Sequence, residues 1–135
     1  MARPRPRILD TDVLINHWRG FGKKKRTASE FKTHAKELIE SQGTNMIVSP
    51  VMVEFLAGAN REDLGFRKAY LEPFEVLDKG NIPRADWDEA KRFAQWTRIG
   101  RERKLGDCLI EAIAKRFNGD VVSRDRDFKR RVPPQ

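Results

Sequence analysis

The chain has 135 residues, a net charge of +8 and 39% hydrophobic residues, which fits one globular domain with a core of its own. Its uninterrupted apolar runs reach about three residues, against the roughly twenty that a membrane-spanning helix needs, and its basic start lacks the apolar centre of a signal peptide. The single cysteine, Cys108, excludes an internal disulfide, so we expect a cytoplasmic protein without a membrane segment.

The apolar pattern predicts short strands that alternate with helices. Strands are expected at 8–10, 45–49, 75–77 and 121–123, and helices from residue 11, at 27–42, at 50–58, at 62–72, at 83–104 and from 107 to 118. Thr27 or Ser29 can cap the second helix, Gly43 ends it, and Pro50 opens the third. One side of the helix at 83–104 is expected to be apolar through Trp87, Ala90, Phe93, Ala94 and Thr97.

This alternation predicts a single α/β domain over residues 1–135, with a short parallel sheet flanked by helices on both faces. In such sheets, ligands bind beyond the carboxyl ends of the strands. Asp10 and Asp125 fall at these ends, and Glu54 and Asp107 lie early in helices that are expected to start on the same side. We therefore expect four acids from four segments to meet.

Carboxylates that meet at one place repel each other unless a cation joins them. Mg²⁺ and Mn²⁺ prefer oxygen ligands, and either ion can activate water and neutralise charge on a phosphoryl oxygen. Each acid also has a structural interpretation: Asp10 and Asp107 as helix caps, Glu54 as a solvated helix residue, and Asp125 as a loop charge. Basic clusters at 23–26, 101–104 and 124–131 indicate contacts with a polyanion. His17 and His34 lack ligand spacing and are interpreted as structural or surface groups.

Four segments of the chain resemble, in order, the motifs of PIN-domain nucleases, and their order and the chain length are most similar to the VapC-type toxins of toxin–antitoxin pairs. The first segment is Ile8-Leu9-Asp10-Thr11-Asp12-Val13-Leu14-Ile15, and the second is Ser49-Pro50-Val51-Met52-Val53-Glu54-Phe55-Leu56-Ala57-Gly58. The third is Gly106-Asp107-Cys108-Leu109-Ile110-Glu111-Ala112-Ile113-Ala114, and the fourth is Val121-Val122-Ser123-Arg124-Asp125-Arg126-Asp127-Phe128.

The resemblance implies a Mg²⁺- or Mn²⁺-dependent endoribonuclease that a cognate antitoxin holds inactive, and it implies a homodimer. Its catalytic acids would be Asp10, Glu54, Asp107 and Asp125, with Asp10, Asp107 and Asp125 at the metal. By the same resemblance, Thr11 would orient Asp10 and Ser123 would hydrogen-bond within the site.

The chain departs from the usual motifs at three places. Asp12 stands where the family often has Asn, so an additional acid lies near the site. Glu111 stands where a small residue is more usual; it could approach the metal, but we favour an ion pair with Lys115 four residues later. The basic loop at 23–26 is longer than a minimal member needs. Asp127 is a rival to Asp125 for the last acidic role.

Two other functions fit parts of the sequence. Asp10-Thr11-Asp12-Val13-Leu14 partly matches the start of haloacid-dehalogenase phosphatases, in which the first Asp is a covalent nucleophile, but Leu14 replaces the expected Thr or Val. A non-catalytic nucleic-acid-binding module would explain the positive charge. That module would leave the four acids without a role, because they would repel phosphate in the absence of metal.

Overall fold

A computed structural model describes residues 5–21, 26–95 and 104–124, and its secondary structure is α/β. In chain order, the described elements are β1 (Arg7–Leu9), α1 (Thr11–Arg19), α2 (Ala28–Gln42), β2 (Met46–Ile47), α3 (Ser49–Ala57), α4 (Leu64–Leu71), β3 (Glu75–Val76), α5 (Arg84–Gln95), α6 (Leu105–Arg116) and β4 (Asp120–Val122). Within these ranges, each helix falls short of the length and hydrophobicity that a bilayer crossing requires.

The strands of the described residues form a parallel sheet in the order β3-β2-β1-β4, which confirms the predicted α/β architecture. The two ends of the sequence meet in this sheet, because β1 pairs with β4 through Ile8 and Val121. Ile8, Leu9 and Ile47 are fully buried, as expected for parallel strands that are covered on both faces. This order places the residues that follow β1 beside those that follow β4.

Helix ends follow the predicted local signals. Asp10 caps α1, with its carboxylate accepting a hydrogen bond from the backbone N–H of Thr11. Thr27 and Glu30 form a capping box at the start of α2, and Gly43 ends that helix in the left-handed conformation at φ 69°, which glycine adopts without steric cost. Pro50 lies in the first turn of α3, as predicted.

The main core packs α1, α2, α3, α4 and α6 against the sheet. Its largest fully buried side chains include Tyr70, Phe55, Ile110 and Ile113, and α3 contacts α1, α4 and α6. A smaller cluster between α5 and α6 contains Phe93 and Cys108, so the cysteine is a core residue. The inner face of α3 is therefore fully packed, with Val51 and Phe55 both completely buried.

His17 and His34 serve the structure. Their rings stack with 3.7 Å between centroids, and Phe21 stacks on the other face of His34 at 4.0 Å. The Tyr70 hydroxyl lies 2.7 Å from His17 Nδ1. Burial raises the pKa of Tyr70, so its hydroxyl keeps its proton, and burial together with His34 lowers the pKa of His17 to about 4. The neutral His17 ring therefore accepts the hydrogen bond from Tyr70.

Several predicted boundaries differ from the structure. The second strand is shorter than 45–49, because Ser49 already belongs to α3. Helix α4 begins at Leu64 instead of residue 62, since Asn60 and Asp63 exchange hydrogen bonds in the turn before it. Helix α6 begins at Leu105, so Asp107 lies in its first turn and is not its cap. The predicted helix at 83–104 is described to Gln95, and the rest of that prediction lies outside the described residues.

The predicted apolar side of α5 is wrong at two positions. Trp87 is 42% exposed and Ala94 is exposed, whereas Asp86 is 2% exposed. Arg116 Nε of α6 lies 3.0 and 2.9 Å from the two carboxylate oxygens of Asp86. Asp86 is therefore buried where the apolar pattern predicted Trp87, and it is paired with the more exposed Arg116.

Candidate active site

Polar side chains meet where β1 and β4 end. Asp10 follows β1 directly and is 6% exposed, and its backbone N–H donates to the carbonyl of Val122 at the end of β4, at 2.9 Å. Thr11, at the start of α1, is 8% exposed. The carboxyl edge of the sheet therefore holds a buried carboxylate and a buried hydroxyl side by side, as parallel topology favours.

Thr11 connects two of the predicted acids. Its backbone N–H lies 2.7 Å from Asp10 Oδ1, and its hydroxyl lies 2.8 Å from Glu54 Oε1, so both groups donate to carboxylates. The first contact is the geometry expected of a residue that orients Asp10. The second contact spans 43 residues of sequence and fixes Glu54 of α3 beside the start of α1.

Glu54 also meets the first turn of α6. Its residue is exposed as a whole, but its carboxyl group lies against Gly106: a Cβ at Gly106 would lie 2.8 Å from Glu54 Cδ and 2.9 Å from each carboxylate oxygen. Asp107 is the next residue and is half-buried. A negative side chain in the first turn of a helix is favoured by the helix dipole. The missing side chain at Gly106 therefore makes room for Glu54 next to Asp107.

The structure thus brings together three of the four predicted acids, Asp10, Glu54 and Asp107, and the pKa of Asp10 is strongly shifted. Burial is the main cause that raises the pKa of Asp10 from 3.8 to about 7, and the nearby charges of Asp12, Asp107 and Glu54 raise it further, against the hydrogen bond from Thr11. The pKa of Glu54 is raised by burial and by Asp107, while the Thr11 hydroxyl and Lys104 oppose the rise. The local field is negative in a chain whose net charge is +8.

Asp12 and Ser123 lie at the same edge and contact each other. Ser123 Oγ donates to Asp12 Oδ2 at 3.1 Å, and the backbone N–H of Arg124 donates to the same oxygen at 3.0 Å. The second oxygen of Asp12 is buried and accepts no hydrogen bond from the described part of the chain. Ser123 thus bonds within this group of residues, with Asp12 as its acceptor.

Two further predictions concern acids within the third and fourth motifs. Glu111 is 5% exposed in α6, and Lys115, the partner predicted for it, is 43% exposed with its Nζ 3.1 Å from Glu89 Oε2. Asp125 and its rival Asp127 lie outside the described residues, as do residues 23–25, 101–103 and 125–131 of the basic clusters.

Asp78 is a polar residue of this edge that sequence reasoning missed. It is 4% exposed, and it accepts hydrogen bonds from the backbone N–H of Ser49 at 2.8 Å and from the Ser49 hydroxyl at 2.6 Å. The signal that selected Asp10 applies here too, because Asp78 comes just after the short strand β3. Asp78 holds the N-terminus of α3, the helix that carries Glu54.

Residues 7–132 match the model of the PIN domain family. The chain belongs to the PIN domain family. The matched range covers β1 through β4 and includes every acid discussed above. PIN domains are generally nucleases that act on nucleic acids and typically use divalent metal ions. The phosphodiester chemistry expected from the sequence therefore agrees with the family.

The residues of this PIN domain suit a hard divalent cation in donor type. The side chains whose charges act on Asp10 are all carboxylates, and Mg²⁺ and Mn²⁺ prefer oxygen ligands of this kind. Within the described ranges, however, no three His, Cys, Asp or Glu side chains are arranged as a complete ligand group. A cation would offset the repulsion that raises the pKa of Asp10.

The raised pKa of Asp10 predicts that its carboxylate destabilises the metal-free fold. The folded protein holds this proton up to about pH 7, whereas the unfolded chain releases it near 3.8, so the free energy of unfolding falls as pH rises through that window. The full penalty, above pH 7, is on the order of 4 kcal/mol. Asp10→Asn removes it, and thermal melts in EDTA at a series of pH values should show the variant gaining stability over the parent as pH rises.

Asp120→Asn is the control for that experiment, because Asp120 is exposed and pairs with Arg5 at 3.4 Å. It should show no gain relative to the parent as pH rises. A parent that is as stable as Asp10→Asn above pH 7 without metal would contradict the assignment of Asp10 as a penalised carboxylate.

The close approach of Glu54 to Gly106 predicts a specific loss of nuclease activity in Gly106→Ala. The new methyl group would displace the flexible Glu54 side chain and break its bond to Thr11, while alanine suits the helix as well as glycine or better. We expect activity with Mn²⁺ to fall by about tenfold or more and the melting temperature to stay near that of the parent.

Gly65→Ala is the matched control, since Gly65 lies in α4 and a Cβ there would meet nothing within 4 Å. It should keep the activity of the parent. Equal activity of Gly106→Ala and Gly65→Ala would show that the position of Glu54 does not matter for cleavage.

Proposed function

We propose that this PIN domain is a metal-dependent endoribonuclease that hydrolyses RNA phosphodiester bonds, and that it is the toxin of a type II toxin–antitoxin pair. One observation carries the proposal: Thr11 joins the buried Asp10 to Glu54 by hydrogen bonds of 2.7 and 2.8 Å, where burial and the charges of Asp12, Asp107 and Glu54 raise the pKa of Asp10. Carboxyl groups with perturbed pKa values cluster at functional sites, which supports a catalytic role for this group. The net charge of +8 supports a polyanionic substrate.

In this proposal the acids have distinct roles. Asp10 and Asp107, together with Asp125, would hold Mg²⁺ or Mn²⁺, which when bound supplies a Lewis acid for the phosphoryl oxygens and lowers the pKa of water. Thr11 fixes the orientation of Asp10 through its N–H and that of Glu54 through its hydroxyl. The proposal gives Glu54 the role of a catalytic carboxylate that accepts or returns a proton, and the rise of its pKa through burial and Asp107 supports this role.

The phosphatase alternative is disfavoured by the contacts of Asp12. In that chemistry the second Asp of the motif acts as a general acid, which requires a side chain that reaches the substrate. Here Asp12 Oδ2 is occupied by Ser123 and by the N–H of Arg124, and the chain belongs to the PIN domain family. A non-catalytic binding module does not account for the buried acids around Asp10.

The choice of RNA, of a toxin role and of a homodimer is supported by the resemblance of the four motifs to VapC-type proteins. An antitoxin partner has a suitable surface on the early helices. Three partly exposed aromatic rings lie in a row on α1, α2 and α4. The ring centroid of Phe31 lies 4.6 Å from that of Trp18 and 5.2 Å from that of Phe66. Partly exposed aromatic side chains from three helices suit an apolar helix of a partner. A cytoplasmic location belongs to the same proposal.

Asp10→Asn should abolish RNA cleavage while the fold stays intact. The variant keeps a side-chain oxygen for the Thr11 N–H but loses the negative charge that a cation needs. The assay uses purified protein, a defined RNA and a DNA of the same sequence, with Mn²⁺ or with EDTA. We expect the parent to cut the RNA with Mn²⁺ and not with EDTA. The cleavage rate of the variant should be at least about a hundredfold lower than that of the parent.

Asp120→Asn, prepared in the same way, controls for contaminating nuclease and should cut like the parent. If Asp10→Asn cuts RNA as fast as the parent, or if EDTA leaves cleavage unchanged, the metal-dependent nuclease is excluded. Cleavage of the DNA in preference to the RNA would exclude the ribonuclease part alone.

The toxin role predicts that induced expression of the chain stops the growth of a bacterial host and that expression of Asp10→Asn does not. Co-expression of the protein encoded by a short open reading frame next to the gene should restore growth. That protein should also co-purify with the chain. Normal growth at expression levels that give measurable RNA cleavage in extracts would argue against a toxin, and would leave the nuclease proposal standing.

A further inference from the structure

The end of β4 is tied to the first turn of α1 by one side chain. Asp12 Oδ2 accepts a hydrogen bond from Ser123 Oγ at 3.1 Å and another from the N–H of Arg124 at 3.0 Å. These partners are 111 and 112 residues away in the sequence. The backbone bond from Asp10 to Val122 lies just before them. Alternate residues of the first motif therefore hold the same short stretch of chain.

Asp12 is not needed to start its own helix. The cap of α1 is Asp10, whose side chain accepts a hydrogen bond from the N–H of Thr11. Asp12 lies two residues after this cap, within the helix. A carboxylate that bonds to a serine and a backbone N–H from a distant strand acts between elements. Such contacts fix the direction in which a chain leaves a strand, because a single oxygen constrains both a side chain and the next peptide group.

The position of this contact gives it a functional meaning. Asp10 departs from the end of β1, and the residue that follows Arg124 in the sequence is Asp125. The N–H of Arg124 is the last backbone N–H before that acid, and it donates a hydrogen bond to Asp12. Supporting bonds of this kind set the geometry of catalytic groups, and their loss typically costs about tenfold to a hundredfold in metal affinity or activity.

We propose that Asp12 is a positioning residue, which fixes the end of β4 against Asp10 through the two hydrogen bonds to its Oδ2. This inference rests on the proposed nuclease function for its effect on rate. The hydrogen-bonding role itself does not depend on that function. Asp12 acts through the backbone and through Ser123 and does not touch the substrate.

A different role would be direct: the second oxygen of Asp12 is buried without a donor among the described residues, and its charge lies near Asp10. Asn and Ala at this position separate the two roles. Asp12→Asn retains an oxygen that can accept from Ser123 and Arg124 but removes the charge. Asp12→Ala removes both the oxygen and the charge.

The first measurement is hydrogen exchange of the Arg124 amide in the metal-free protein. It reports the hydrogen bond from this amide to Asp12 without any catalysis. We expect the amide to be protected in the parent and in Asp12→Asn, and to exchange at least about tenfold faster in Asp12→Ala. The second measurement is steady-state cleavage of RNA at saturating Mn²⁺, so that a change in metal affinity does not enter the rate. We expect Asp12→Ala to lower kcat by about tenfold or more, with KM within about twofold.

Asp12→Asn should keep kcat within about threefold of the parent, because its oxygen restores the tie. Ser123→Ala removes one donor and leaves the Arg124 bond, so its kcat should lie between those of Asp12→Asn and Asp12→Ala. Asp63→Ala is the matched control: Asp63 accepts a backbone N–H from Asn60 at 2.7 Å in the turn before α4, and its loss should leave kcat unchanged. Melting temperatures of all variants identify any that fail to fold.

Two results would overturn the proposal. Unchanged protection of Arg124 in a folded Asp12→Ala would show that the tie does not depend on Asp12. A kcat of Asp12→Asn as low as that of Asp12→Ala, with Arg124 still protected, would assign Asp12 a direct role through its charge. If the parent cleaves no nucleic acid with Mn²⁺, the proposed function fails, and the exchange of Arg124 still decides whether Asp12 holds the end of β4.

Discussion

The structure depends on holding like charges together at one edge of a parallel sheet. Asp10 is buried between β1 and α1, and the charges of Asp12, Glu54 and Asp107 act on it. Left to itself, such a group would separate or take up protons. Thr11 opposes separation, because it donates one hydrogen bond to Asp10 and one to Glu54. The site is therefore a group of like charges that hydrogen bonds from the surrounding fold keep in place.

The means of keeping it in place are polar contacts between distant elements. Asp78 fixes the N-terminus of α3 through Ser49, and so fixes the helix that carries Glu54. Arg116 of α6 is anchored to the buried Asp86 of α5, and α6 carries Asp107 in its first turn. Each of these carboxylates accepts at least two hydrogen bonds, which offsets the cost of burying it. At the site, Asp12 likewise accepts two hydrogen bonds, and Asp10 and Glu54 each accept one from Thr11.

The sequence alone determined the architecture and the identity of most polar residues at the sheet edge. Short apolar segments between helical patterns require a parallel sheet, and the residue after such a strand lies at the edge where ligands bind. That rule found Asp10. Local signals placed the capping box at Thr27, the left-handed Gly43 and Pro50 in the first turn of α3, because each depends on backbone groups within a few residues. The same rule, applied to the shorter β3, would have found Asp78.

Only the tertiary structure decided how the acids are held. Gly106 gives Glu54 its place, and Asp12 binds Ser123 across 111 residues; both depend on the relative positions of elements that are far apart in sequence. Helical periodicity shows which residues share a face but not which face turns inward. In α5 the buried Asp86, paired with Arg116 of α6, lies on the inner side and Trp87 is exposed, against the apolar pattern. A pattern of hydrophobicity cannot anticipate this, because the stability of a buried charge depends on a partner that another helix supplies.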